Sequence, residues 1–142
     1  FDQGNQGWNS TMQLRAVSAT NGALTGISTG TDPAFFGPQI RLHAGEWTTV
    51  SLRMKLQAQD GRPFKDLAQL FWRSQREGES EATSARFEVA ADGQWHDYQV
   101  PVAQNRHWRG VLTQLRLDPC NRPGVAIAVD YLRLVPSQAA RQ

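Results

Sequence analysis

Apolar and polar residues alternate with a period of two along most of this chain, and no other feature constrains its fold as strongly. Residues 48–56 read T-T-V-S-L-R-M-K-L, so Val50, Leu52, Met54 and Leu56 fall on one face and Ser51, Arg53 and Lys55 on the other. Successive side chains of a strand leave opposite faces, so this pattern is that of a strand half-buried in an antiparallel sheet. The same reading applies to residues 67–73, 85–90 and 111–117, the last with Thr113, Leu115 and Leu117 opposite Gln114 and Arg116. Asp92-Gly93 signals a hairpin, and His96, Tyr98, Val100 and Val102 continue on one phase beyond it. Residues 125–135 (V-A-I-A-V-D-Y-L-R-L-V) have high β propensity, and 12–17 and 23–27 predict shorter strands. Turn-forming clusters at 30–33, 36–38, 60–63 and 119–124 separate these segments. No stretch carries a sustained helical period. Roughly eight short strands about ten residues apart predict an all-β fold, a two-sheet antiparallel β-sandwich.

The chain has 142 residues, enough for one domain that folds without a metal or disulfide. That domain is expected over 1–136, with the polar S-Q-A-A-R-Q of 137–142 as a flexible tail. Hydrophobic residues make up 39% and charged residues 20%, which argues against disorder and against a coiled coil. No apolar run approaches the roughly 18 residues of a spanning helix, so membrane insertion is not expected. The chain begins at Phe1 with no basic-plus-apolar leader, as a mature fragment or excised domain would. A net charge of +2 does not describe a nucleic-acid binder, which needs a dense basic face. Cys120 is alone, so no intrachain disulfide forms, and His43, His96 and His107 lack metal-ligand spacing. No nucleophile elbow, H-E-x-x-H or P-loop is present. Most of the acidic residues fall in turns or on solvent phases, and Glu77, Glu79 and Glu81 read as a solvated loop. An enzyme is not expected; a small lyase or hydrolase would need two acid/base residues converging in one cleft.

Six blocks carry a resemblance to a known family. They are F-D-Q-G-N-Q-G-W at 1–8, G-P-Q-I-R-L-H-A-G-E-W at 37–47, A-Q-L-F-W-R at 68–73, D-G-Q-W-H-D-Y at 92–98, W-R-G-V-L-T-Q-L-R-L-D-P at 108–119 and V-D-Y-L-R-L at 129–134. In this order and spacing the chain resembles bacterial carbohydrate-binding modules of families four and nine, which share a galactose-binding-like jelly roll. The chain departs from the pattern at Cys120, where glycine is expected, and at 76–83, a Glu-rich stretch that fits no pattern. The resemblance implies a non-catalytic module that holds a parent multidomain enzyme against a poly- or oligosaccharide, in an extracytoplasmic setting. The alternative is an accessory β-sandwich of a glycoside hydrolase, lyase or cell-envelope glycosyltransferase that binds no sugar itself. It also implies a structural Ca²⁺ tying the N-terminal segment to the last strand, with Asp2 and Asp130 at the matching positions. Without the ion, Asp130 would accept hydrogen bonds from the N-terminal loop.

Glycan binding uses flat rings that stack on pyranoses and planar polar groups that read hydroxyls. The polar phases supply Arg53, Gln69, Arg73, Arg86, Gln114 and Arg116, several of which are expected on one concave sheet. Trp8, Trp72 and Trp95 are expected to close the core. Trp72 stays among the binding candidates because it ends a strand where a groove lip would lie. Trp47 and Trp108 are the expected ring platforms.

Overall fold

Strand β6 (Trp47–Ala58) resolves the alternation into a sandwich. In the computed structural model, which describes residues 1–137, its Val50, Leu52, Met54 and Leu56 are fully buried, while Ser51, Arg53 and Lys55 lie on the outer face. Eleven strands among the described residues follow the same rule: β1 (Ser10–Met12), β2 (Leu14–Thr20), β3 (Ala23–Ser28), β4 (Ala34–Phe36), β5 (Leu42–His43), β6, β7 (Phe64–Ser74), β8 (Ser84–Ala91), β9 (Trp95–Val100), β10 (Val111–Asp118) and β11 (Val125–Pro136). The pairs are antiparallel and form two sheets. A six-stranded sheet runs β1–β4–β10–β7–β8, with β5 also on β10, and a five-stranded sheet runs β2–β3–β11–β6–β9. The inner face of β6 meets Leu70 and Trp72 of β7 and Leu112, Leu115 and Leu117 of β10 in one apolar core. This is the all-β antiparallel sandwich that the alternation predicts.

Two local departures from the expected strands have physical causes. The segment 12–17 is not one strand. Gln13 adopts φ 54°, its carbonyl accepts from the Thr29 amide, and its side-chain Oε1 accepts from the Asp32 amide. These contacts pass β1 into one sheet and β2 into the other. Strand β10 carries a bulge between Leu112 and Gln114, which brings Leu112 rather than Thr113 into the core with Leu115 and Leu117. The β2–β3 hairpin turns at Asn21-Gly22, with φ of 54° and 78°, where both residues occupy the left-handed region of a type I′ turn.

The tryptophans divide differently from the expectation. Trp8, Trp72 and Trp108 are in the core. Trp72 and Trp108 meet edge to face with centroids 5.1 Å apart. Trp72 Nε1 donates to the His107 carbonyl (3.0 Å), and Trp108 Nε1 donates to the carbonyls of Ala44 and Trp47 (3.0 Å each). Trp108 is therefore a buried clamp rather than a platform, because the loop around it delivers the indole inward to satisfied partners. Cys120 is also buried, and burial pushes its thiol up to about 11. The tail expected from residue 137 is tied at its first residue, since the Ser137 amide donates to the Glu46 carbonyl (2.7 Å); residues 138–142 lie outside the described ones. Among the described residues no helix is long and apolar enough to cross a membrane.

Replacing Trp108 by alanine removes a buried ring and strands two carbonyls. We expect a loss of about 3–5 kcal/mol in urea unfolding. A loss close to zero would mean that the ring is a surface platform after all.

Candidate functional site

The outer face of the six-stranded sheet gathers most of the polar residues singled out in the sequence. Beyond the β10 bulge, Gln114, Arg116 and Asp118 share the outward phase. Across the ladder Gln114 pairs with Arg73, Arg116 with Phe71 and Asp118 with Gln69. Gln69 in turn pairs with Arg86 of β8, and Arg116 with Phe36 of β4. Gln69, Arg73, Arg86, Gln114 and Arg116 therefore come together. Arg53 does not join them, because β6 belongs to the opposite sheet. There its guanidinium pairs with Asp97 (3.6 Å) and Asp130 (3.4 Å) and lies 5.4 Å from the Trp95 ring.

Arg116 organises the centre of this face. Its guanidinium lies between the rings of Phe36 (5.1 Å) and Phe71 (4.8 Å). Its Nε and Nη2 donate to the two oxygens of Asp118 at 2.7 and 2.8 Å. Asp32 stands at 3.4 Å and Glu79 at 3.6 Å. Three carboxylates thus surround one guanidinium whose side chain is only 14% exposed. One positive charge cannot balance three negative ones in a poorly solvated site, so the most buried carboxyl holds its proton longest. Burial pushes Asp118 up to about 7; the hydrogen bonds from Arg116 oppose this, and neighbouring Asp32 reinforces it.

The loop that carries Glu77, Glu79 and Glu81 is not the freely solvated run expected from its composition. Glu81 Oε2 accepts from Gln69 Nε2 (2.7 Å) and Arg86 Nη2 (3.0 Å). Glu77 Oε1 meets His107 Nδ1 at 3.1 Å and Arg109 Nη2 at 2.9 Å, and the hydrogen bonds from His107 and then Arg109 hold its carboxyl below the usual range. The second oxygens of Glu77 and Glu79 are buried without a hydrogen-bond partner. The loop therefore lies on the sheet and occupies Arg116, Arg86 and Gln69 with its own acids.

Beside the loop the face stays open. A depression of about 430 Å³ is lined by Arg73, Gln114 and Thr113 from the strands, and by Gln39, Gln75 and Arg76 from the flanking segments. Gln114 Nε2 donates to the Gly37 carbonyl (2.9 Å), which fixes its amide plane at the edge of the depression. No aromatic ring is part of its lining. Trp72 and Trp108 are in the core beneath, and Trp47 packs half-buried against that core with a buried, unpaired Nε1. None of the three reaches this face, so the ring-stacking half of the expected site is absent from it.

One aromatic that the sequence reading assigned to the core is outside. Trp95 pairs with Lys55 across the β6–β9 ladder and sits with Lys55 (5.1 Å) and Arg53 against its ring on the outer face of the five-stranded sheet. The signal was present: with Val100 inward, Trp95 falls on the opposite phase. The phase of the strand outweighs the general tendency of tryptophan to be buried.

Asp2 and Asp130, the two residues of the expected calcium site, line one depression together with Phe1, Gln3 and Gln6. The Asp130 carboxylate is turned to Arg53, and its carbonyl accepts from the Phe1 nitrogen (2.5 Å), which also donates to the Gly22 carbonyl (3.1 Å). Asp2 is exposed, with Oδ1 over Gly22. Among the described residues no three His, Cys, Asp or Glu side chains gather at metal-binding distance. Hydrogen bonds from Phe1 connect the N-terminal segment to the last strand.

The protonation of Asp118 has a measurable consequence. Its folded-state value of about 7 exceeds the ordinary 3.8, so between those values the folded protein holds a proton that the unfolded chain has released. The stabilisation is complete below the unfolded value and is lost as pH rises through about 7. We expect urea stability to decline from about pH 5 to pH 8 and the decline to flatten in Asp118→Asn. Parallel pH profiles for the two proteins would contradict this assignment.

No family model matches the sequence, and no curated protein matches it. Solved structures match by shape. A family 4 carbohydrate-binding module superposes with a TM-score of 0.62 at 10% identity, covering 94% of this chain and 98% of that one. A low-affinity xylan-binding module of family 86 from Roseburia intestinalis gives 0.58 at 8% identity, over 92% and 97%. A family 6 module from Clostridium stercorarium, solved with cellobiose, gives 0.55 at 14% identity, over 92% and 88%. At these identities the likeness is one of fold: this chain has the two-sheet jelly-roll sandwich of carbohydrate-binding modules.

Proposed function

We propose that this domain is a non-catalytic carbohydrate-binding module, that its site is the depression on the outer face of the six-stranded sheet, and that it holds a parent enzyme to an extracytoplasmic glycan. The observation that supports this most is the meeting of Arg73 and Gln114 with Gln39, Gln75 and Arg76 around one open volume of about 430 Å³. Guanidinium and amide groups are planar and present paired donors and acceptors, which suits vicinal hydroxyls. The volume is within the range of about 300–1,000 Å³ usual for small-ligand sites. Recognition here is by hydrogen bonding without ring stacking. The neighbours in fold are themselves carbohydrate-binding modules, which favours the same role. Asp32, Glu79 and Asp118 do converge, but on the Arg116 guanidinium between them, not across an open cleft where two acids would flank a glycosidic bond.

A second reading, an accessory domain that packs on its parent and binds no sugar, is favoured by one observation. An apolar depression of about 160 Å³ opens between the sheets at Trp8, Pro38, Ile40, Leu42, Leu132 and Leu134.

Titration calorimetry of the domain against soluble neutral and acidic oligosaccharides separates the two. We expect Arg73→Ala and Gln114→Ala each to weaken binding at least about tenfold, or ~1.4 kcal/mol, and Trp95→Ala to leave it unchanged. Loss of binding in Trp95→Ala alone would move the site to the opposite sheet. Silence across all the sugars would favour the accessory domain.

A further inference from the structure

The carbohydrate reading leaves the chemical class of the sugar open, and the charges around the depression narrow it. Its two guanidinium groups, Arg73 and Arg76, are exposed and have no ion-pair, hydrogen-bond or ring partner among the described residues. The one carboxylate on the rim, Glu77, is already taken by Arg109 and His107. The depression is thus bounded by two positive charges with no counter-charge of their own. Elsewhere on the same face the guanidinium groups are matched: Arg116 holds Asp118, Asp32 and Glu79, and Arg86 holds Glu81. Two of these acids, Glu79 and Glu81, come from the loop that crosses the sheet. The face therefore already binds carboxylates on its guanidinium groups wherever the chain itself can deliver them.

We propose that the depression reads an acidic sugar, an oligosaccharide of uronic acid residues whose carboxylates pair with Arg73 and Arg76 while Gln39, Gln75 and Gln114 take its hydroxyls. This rests on the carbohydrate reading of the same site. A guanidinium fork fits a planar carboxylate with two parallel hydrogen bonds, stronger than those it makes to neutral hydroxyls. A neutral sugar would leave both cations solvated and contribute nothing to their choice at this place. A uronate also accounts for a site without rings, because charge-assisted hydrogen bonds take over the contribution that stacking makes elsewhere. Binding of this kind is weakened by salt, since both cations are exposed.

The test is a calorimetric comparison of the intact chain with oligomers of galacturonate, glucuronate, mannuronate and guluronate, each beside its carboxyl-reduced neutral twin, with one sulfated oligosaccharide included. At least one uronate oligomer is expected to bind tenfold or more tightly than its twin. Arg73→Gln and Arg76→Gln are each expected to reduce that ratio severalfold, whereas Gln114→Ala weakens both twins alike. Equal binding of the twins, with a ratio untouched in the arginine variants, overturns the inference and leaves carbohydrate binding standing. Preference for the sulfated sugar overturns the carboxylate assignment. Silence across the whole panel overturns both the inference and the carbohydrate reading. Both arginine side chains are exposed, and circular dichroism of each variant checks that its fold is kept.

Discussion

The contact between Trp72 and Trp108 holds the end of the sandwich on which the candidate site is built. Trp72 is the largest fully buried side chain and comes from the six-stranded sheet. Trp108 comes from the loop before β10, and its indole nitrogen donates to the carbonyl of Ala44, in the turn before β6, and to that of Trp47, the first residue of β6 in the five-stranded sheet. One pair of rings therefore joins both sheets and the intervening loop. Buried indoles need partners for their N–H groups, and both have them. The His107 carbonyl that satisfies Trp72 belongs to the residue whose ring meets Glu77, so the core contact also anchors the loop above the sheet.

On top of that base the outer face is organised by charge. Arg116 collects three carboxylates from three separate segments, and Asp118 is the most buried of them, so burial, reinforced by neighbouring Asp32, raises its proton affinity. The proton kept by Asp118 is the result. The same loop that contributes Glu79 covers the middle of the face, which leaves the polar depression at one side as the open part. The proposed sugar site lies in the open half because the other half of the face is occupied by the chain's own acids.

The sequence made several of these features legible and concealed others. The alternation in 48–56 marked β6 and its buried face correctly. The outward phases of β7, β8 and β10 correctly grouped Gln69 with Arg73, Arg86, Gln114 and Arg116. Arg53 has the same local pattern and lies on the other sheet, because alternation says which residues share a face of one strand but not which strands are neighbours. Trp95 was readable from its phase against Val100. Trp108 was not, since a residue in a loop has no period, and only the position of the loop over the core shows that its ring points inward. The acidic loop looked like solvated surface by composition, yet Glu79 and Glu81 found guanidinium groups on β10 and β8, and Glu77 found His107 and Arg109 of the loop before β10.

By itself the sequence determined the strand character, the inward and outward assignment along strands without a bulge such as the 50–56 stretch of β6, and the all-β sandwich class. Those are set by the pleat, which is a local property of the backbone. Tertiary structure alone decided the separation of Arg53 from the other arginines and the burial of Trp72 and Trp108 against each other. It also decided the raised proton affinity of Asp118 and the pair of uncompensated arginines beside the open depression. Each of these depends on groups far apart in the chain meeting at a few ångströms under reduced solvation, where the energy of a charge or a buried N–H is set by its neighbours and not by its own residue type.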